Sequence, residues 1–306
     1  MDVKHKEMQF LGTFEVFKET YKVINKNKKI FALAALCFIH PLNIFLSSLM
    51  GTLNEILRNL HDYGNTSHLF SHNMSPFWPY DVLYITFIFG NSIISTAGVS
   101  HTVAALYTNQ EPSINDTMNV VAKVWKRVLV TFICVLLVFL VYHIIAGFAL
   151  YLIVLPLGKL DETTSGVAFV FYFVGWLYLV VVFQLAGVVS VLEESYGFKA
   201  LAKSRLLLKD KMASGTVIVL AIYFGFGVFL WLKALVRKML FTSSSIFMWM
   251  HVLGSWSLLL LILVFLLSWL VLETMFYFVC KSYHLESIDM PAISDQDQAP
   301  LRSSEC

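Results

Sequence analysis

Leu258-Leu259-Leu260-Leu261-Ile262-Leu263-Val264-Phe265-Leu266-Leu267 is ten consecutive residues with no polar atom in any side chain. It lies within a longer apolar run over 252–280. A helix needs about 20 predominantly apolar residues to cross a bilayer, and this run supplies them. In hydrocarbon each backbone N–H and C=O must be satisfied internally, which a helix does within one segment. The stretch therefore predicts an all-α, polytopic membrane helix bundle. Working outward, similar runs fall at 30–50, 82–107, 128–155, 167–192 and 217–232, giving about six transmembrane helices. The run at 82–107 is the least uniform, because Asn91, Ser92, Ser95, Thr96 and His101 interrupt it.

Composition agrees. The 306 residues are 58% hydrophobic and 14% charged, and 26 are Phe. A soluble domain carries about 25% charged residues. These values argue against a large water-soluble catalytic domain, and a net charge of +2 is too small to argue for a nucleic-acid partner, so none is expected. Three regions follow: a cytoplasmic N-terminal segment 1–29, a transmembrane domain 30–280, and a disordered cytoplasmic tail 281–306. A cleavable signal would need its apolar core nearer the start, so the first span is expected to remain as an anchor.

Lys and Arg set the orientation, since cytoplasmic loops are enriched in both. The N-terminal segment, the connections between spans two and three and between four and five, and the tail together hold seventeen, against five in the alternate loops. Both termini are thus expected in the cytoplasm. The sequons at Asn65 and Asn73 then fall in the lumen, where glycosylation occurs, whereas the one at Asn115 stays cytoplasmic and unmodified.

Outside the spans the chain carries amphipathic segments. Phe10, Phe14, Phe17, Tyr21 and Ile24 recur at helical spacing on one face, with Lys18 and Lys22 off it. Such a helix either lies in the headgroup layer or packs on the protein's own bundle. After span four, Gly197 precedes a short helix in which Lys199, Lys203, Arg205 and Lys209 interleave with leucines. That pattern favours the anionic lipids of the cytoplasmic leaflet, at about 1 kcal/mol per basic residue. Trp78 and Tyr80 read as an interfacial anchor before span two. Cys280, at the cytoplasmic end of span six, is a candidate palmitoyl acceptor. No spacing among Cys37, Cys134, Cys280 and Cys306 forms a metal knuckle or redox pair.

Four polar residues inside the spans, Asn91, His143, Gln184 and Glu273, are costly in lipid and are expected to face the bundle interior. They either join helices by hydrogen bonds or line a permeation or ligand path. Glu273 is expected to pair with Lys281 or another cytoplasmic cation. His40-Pro41 reads as a kink in span one. His68 and His72 are four apart, without an acidic ligand spaced to complete a metal site. Small residues such as Gly90, Gly98, Gly187 and Gly225 allow close helix packing, within one chain or between copies in a homo-oligomer. No arrangement of nucleophile, base and oxyanion donors stands out, and neither a cofactor nor a metal is expected.

Several motifs occur together: Met8-Gln9-Phe10-Leu11-Gly12, Trp125-Lys126-Arg127, Val188-Val189-Ser190-Val191-Leu192-Glu193-Glu194-Ser195-Tyr196-Gly197 and Val279-Cys280-Lys281-Ser282-Tyr283-His284. In these the chain resembles, over nearly its whole length, a plant family of six-span membrane proteins, some of them labelled as partners of polyadenylate-binding protein. More distantly, the juxtamembrane run containing Glu193, Glu194, Gly197, Lys203 and Ser204 is similar to the membrane domain of bacterial glycerophosphodiester phosphodiesterases. That resemblance implies an architecture rather than an activity. The plant likeness and the retained first span imply the endoplasmic reticulum, with onward traffic to plasma membrane or vacuole. The expected function is a non-enzymatic membrane structural or interaction protein. The alternative is an oligomeric cation-permeable channel or a small-molecule or lipid carrier.

Overall fold

The computed structural model describes residues 11–35, 78–108, 110, 113–157, 162–239 and 245–285. The elements among them are all helical: α1 (Thr13–Lys26), α2 (Lys28–Ala34), α3 (Trp78–Tyr107), α4 (Ile114–Leu157), α5 (Glu162–Leu192), α6 (Phe198–Leu207), α7 (Met212–Met239) and α8 (Ser245–Tyr283). Four helices contain stretches long and apolar enough to cross a membrane: Ile114–Leu152, Gly166–Leu192, Met212–Leu232 and Leu260–Tyr283. The chain is a helical membrane protein. Most of the expected span at 30–50, the His40-Pro41 kink, Phe10, the lumenal His68 and His72, the sequons at Asn65 and Asn73, and the tail beyond 285 lie outside the described residues.

Large apolar side chains cover the outside of the bundle. Ile144, Phe148, Phe171 and Phe224 are each more than half exposed, which water would penalise and lipid does not. The interior is packed instead around α8, which touches α1, α3, α5, α6 and α7. Two glycines let α7 come close. A Cβ on Gly215 would sit 2.8 Å from Val181 Cγ1 and 3.2 Å from the Phe276 ring, and one on Gly225 2.7 Å from the Phe265 ring.

Several boundaries differ from the sequence expectation. The stretch 108–127, expected to be a loop, is helical from Ile114 and continuous with the third expected span. Val120, Val121, Val124 and Val128 form a helical stripe buried in the core, and His101 Nδ1 lies 3.2 Å from Thr117 Oγ1. These contacts hold the α4 extension against the end of α3. At 1.5 Å per residue the 44 residues of α4 measure about 66 Å, twice the hydrocarbon thickness of about 30 Å. Its end with Lys123, Lys126 and Arg127 must therefore project beyond the membrane core. At the other end of the bundle, the expected loop with Lys233, Arg237 and Lys238 is the last part of α7.

Polar residues do not break α3, and several of them are satisfied inside the bundle. Thr102 Oγ1 donates to the Gly98 carbonyl at 2.8 Å, and Ser100 Oγ lies 3.2 Å from Thr274 Oγ1 of α8. Ser95, Ser100, His101 and Thr102 are all buried.

Candidate functional site

Two polar features stand out, and both lie where α5 and α8 meet. The first is a junction at the ends of these helices. Glu193, one residue past the end of α5, is only 8% exposed. Its Oε1 accepts a hydrogen bond from the Tyr277 hydroxyl at 2.6 Å and from Lys281 Nζ at 3.0 Å. Its Oε2 pairs with Lys203 Nζ of α6 at 3.0 Å. Tyr277 and Lys281 are one turn apart on α8, so one helix face presents both donors. Burial alone would raise the Glu193 pKa. The bonds from Tyr277, Lys281 and Lys203, with the charge of Lys281, overcome it and hold the carboxyl below its ordinary value.

The same junction fixes α6. Gly197 has φ +62°, a conformation that side-chain-bearing residues rarely adopt, and this turns the chain sharply from α5 into α6. Its N–H donates to Thr131 Oγ1 of α4 at 2.9 Å. Ser204 Oγ donates to the Val182 carbonyl of α5 at 3.0 Å, and His284 Nε2 approaches the Leu207 carbonyl at 3.1 Å. Ala200, Leu201, Ser204 and Leu207 are buried on one side of α6, while Phe198 and Leu206 are exposed on the other with Lys199 and Arg205. Helix α1 is divided in the same way. Val16 and Thr20 are buried, whereas Phe14 and Tyr21, seven residues apart and so on one side, are 86% and 68% exposed beside Lys18 and Lys22.

The second feature is a half-open cavity of about 290 Å³ lined by α3, α4, α5, α7 and α8. Gln184 of α5 and Glu273 of α8 both line it. Glu273 is 8% exposed and accepts a hydrogen bond from Trp269 Nε1. The Gln184 Nε2 atom is buried without a hydrogen-bond partner among the described residues. Eight residues of α8 separate Glu273 from Lys281, so the cavity lies about 12 Å along the helix axis from the junction, within the Leu260–Tyr283 span.

Of the four polar residues picked from the spans, two come together and two do not. Asn91 Nδ2 bonds the Phe87 carbonyl of its own helix at 3.4 Å. His143 is exposed on the apolar exterior, its Nδ1 2.7 Å from the Phe139 carbonyl. The expected pairing of Glu273 with Lys281 is not formed: Lys281 pairs with Glu193 at 3.0 Å, and Glu273 lies about two turns away along α8. In the juxtamembrane motif, Glu193, Gly197, Lys203 and Ser204 all join the junction, and Glu194 is exposed. Cys280 is 0% exposed in the core, so acylation would require its sulfur to leave that core. Sequence reading missed Tyr277, Thr131, Trp269 and Tyr223. The Tyr277/Lys281 pair one turn apart was the available signal; the others became visible only with the tertiary packing.

A family model described as a domain of unknown function, DUF8558, matches residues 1–302, and the chain belongs to that family. No curated protein and no solved structure matches it.

Proposed function

We propose that this family member is a non-enzymatic, six-span protein of the endomembrane system, with both termini cytoplasmic, that serves as a membrane structural and interaction protein. In this reading α3 and the segment containing α2 supply the two further spans, and Asn65 and Asn73 are glycosylated in the lumen. Helices α1 and α6 form the working surface, an amphipathic platform on the anionic cytoplasmic leaflet. The observation that carries the reading is the Glu193 junction. Its acid, its tyrosine and Lys281 are buried and mutually paired, which ties α5, α6 and α8 together as a fixed scaffold. With α6 held by that junction and α1 seated through buried Val16 and Thr20, the two helices turn aromatic and leucine side chains outward beside lysines and arginine. Apolar area inserts into the headgroup layer and basic residues attract anionic lipid.

The test is crosslinking of the reconstituted protein by photoreactive phosphatidylserine. Labelling is expected within 14–22 and 196–209, and to fall several-fold in the K199Q/R205Q/K209Q variant. Equal labelling by photoreactive phosphatidylcholine, with no effect of the three substitutions, would overturn the reading. The cavity favours one second reading, a channel or carrier. Solute or cation flux from vesicles that is lost on Glu273→Gln would establish it in place of the platform role.

A further inference from the structure

The cavity within the bundle has a chemical signature that the platform role does not use. Its lining among the described residues includes one formally charged group, the Glu273 carboxyl, and no Lys, Arg or His. The nearest cation along α8, Lys281, is engaged by Glu193. A carboxylate out of water needs a counter-charge or a proton, since an isolated buried charge is strongly disfavoured. Five aromatic side chains, Phe132, Phe139, Phe183, Tyr223 and Trp269, from four different helices, line the same cavity. Aromatic faces attract organic cations, and more strongly where water is excluded. The Gln184 amide nitrogen, buried and without a hydrogen-bond partner among the described residues, can donate to an acceptor atom of a ligand.

We propose that this cavity is a binding site for a lipophilic organic ammonium. Its cation pairs with the Glu273 carboxylate, its body packs among the aromatic side chains, and an oxygen or nitrogen acceptor on it takes the Gln184 N–H. Size follows from volume. A cavity of about 150 Å³ holds benzene, so 290 Å³ suits a molecule of about twice that size. An anion would meet the field of Glu273. A divalent metal would find a single carboxylate where such ions take six or more oxygens. A purely aliphatic chain would leave both the acid and the amide unmatched. The inference stands apart from the platform role, because none of the residues it uses lies on α1 or α6.

The ammonium could be a free amine or the headgroup of a lipid drawn into the bundle, and the experiment separates them. Full-length protein is placed in nanodiscs of phosphatidylglycerol, and binding of radiolabelled phenethylamine is measured by equilibrium dialysis, with empty nanodiscs subtracted. The amine should bind saturably, at least tenfold tighter than its neutral analogue 2-phenylethanol or the anion phenylacetate. Glu273→Gln should weaken it at least tenfold, with His143→Ala unchanged. Gln184→Leu should leave phenethylamine, which has no acceptor atom, unchanged, and should weaken 4-methoxyphenethylamine, whose ether oxygen can accept the Gln184 N–H, several-fold. If Glu273→Gln does not fold, Gly187→Val serves instead. A Cβ there meets only Thr96 Cγ2 at 3.8 Å, so the added carbons enter the cavity and should abolish binding. Repeating the measurement in phosphatidylcholine nanodiscs assigns the source: competition identifies the lipid headgroup, and unchanged binding identifies a free amine. The proposal is overturned if the alcohol binds as well as the amine, if no probe binds, or if amine binding survives both Glu273→Gln and Gly187→Val.

Discussion

Replacing Glu193 by Gln keeps the size of the side chain and removes its charge. The amide can still meet the Tyr277 hydroxyl, but Lys281, with its side chain only 6% exposed, then has no anionic partner. Removing one member of a buried pair costs about 3–5 kcal/mol, mostly because the other charge is left uncompensated. Lys203 adds little, since its side chain is 31% exposed and rehydrates, as surface pairs contribute about 0–1 kcal/mol. The expected loss is about 3 kcal/mol, a fall of roughly a hundredfold in the folding equilibrium constant. Unfolding by sodium dodecyl sulfate in mixed micelles, followed by circular dichroism, reads this directly. The double variant Glu193→Gln/Lys281→Met removes the stranded cation and should recover most of the loss, a coupling that a mutant cycle isolates. A single variant within about 0.5 kcal/mol of the parent, or a double variant whose cost is the sum of the two singles, would refute the reasoning.

Three other outcomes follow from the same geometry. The folded Glu193 pKa is depressed, so its stabilisation is present above the ordinary glutamate value of about 4.3 and is lost as pH falls through the folded value. Detergent unfolding midpoints of the parent and Glu193→Gln, measured across pH, should therefore converge below the folded value and separate above the ordinary one. Gly197→Ala should cost about 1–3 kcal/mol, because φ +62° is strained for any side chain; an unchanged unfolding midpoint would show that the turn relaxes freely. Gly215→Val should destabilise by about 1–3 kcal/mol through overpacking against Val181 and Phe276, measured in the same denaturation assay.

The apolar spans were legible because hydropathy is a local property. Leu258–Leu267 needs no partner to declare itself, and α5, α7 and α8 all contain the runs expected of them. The helix after Gly197 was legible for a similar reason: a conformation-breaking glycine followed by a leucine and lysine pattern is readable over ten residues. The α4 extension was not, since its polar outer face reads as loop until α3 is present to bury Val120, Val124 and Val128. Partner choice was the least legible. Glu193 and Lys281 are 88 residues apart, and nothing local tells Lys281 to take Glu193 in preference to Glu273. The aromatic stripe of α1 straddles two environments. Phe17 and Ile24 turn to the core while Phe14 and Tyr21 turn away, so the two expected roles of that helix, packing and facing outward, divide along its flank.

The platform claim is tested most directly by electron paramagnetic resonance on spin labels placed singly at positions 14 and 206, in nanodiscs containing phosphatidylserine. Power saturation compares collisions with oxygen, which concentrates in lipid, and with an aqueous nickel chelate. Both labels should favour oxygen and report a similar depth at the headgroup boundary. Labels that collide mainly with the nickel chelate would place α1 and α6 in water and contradict the account.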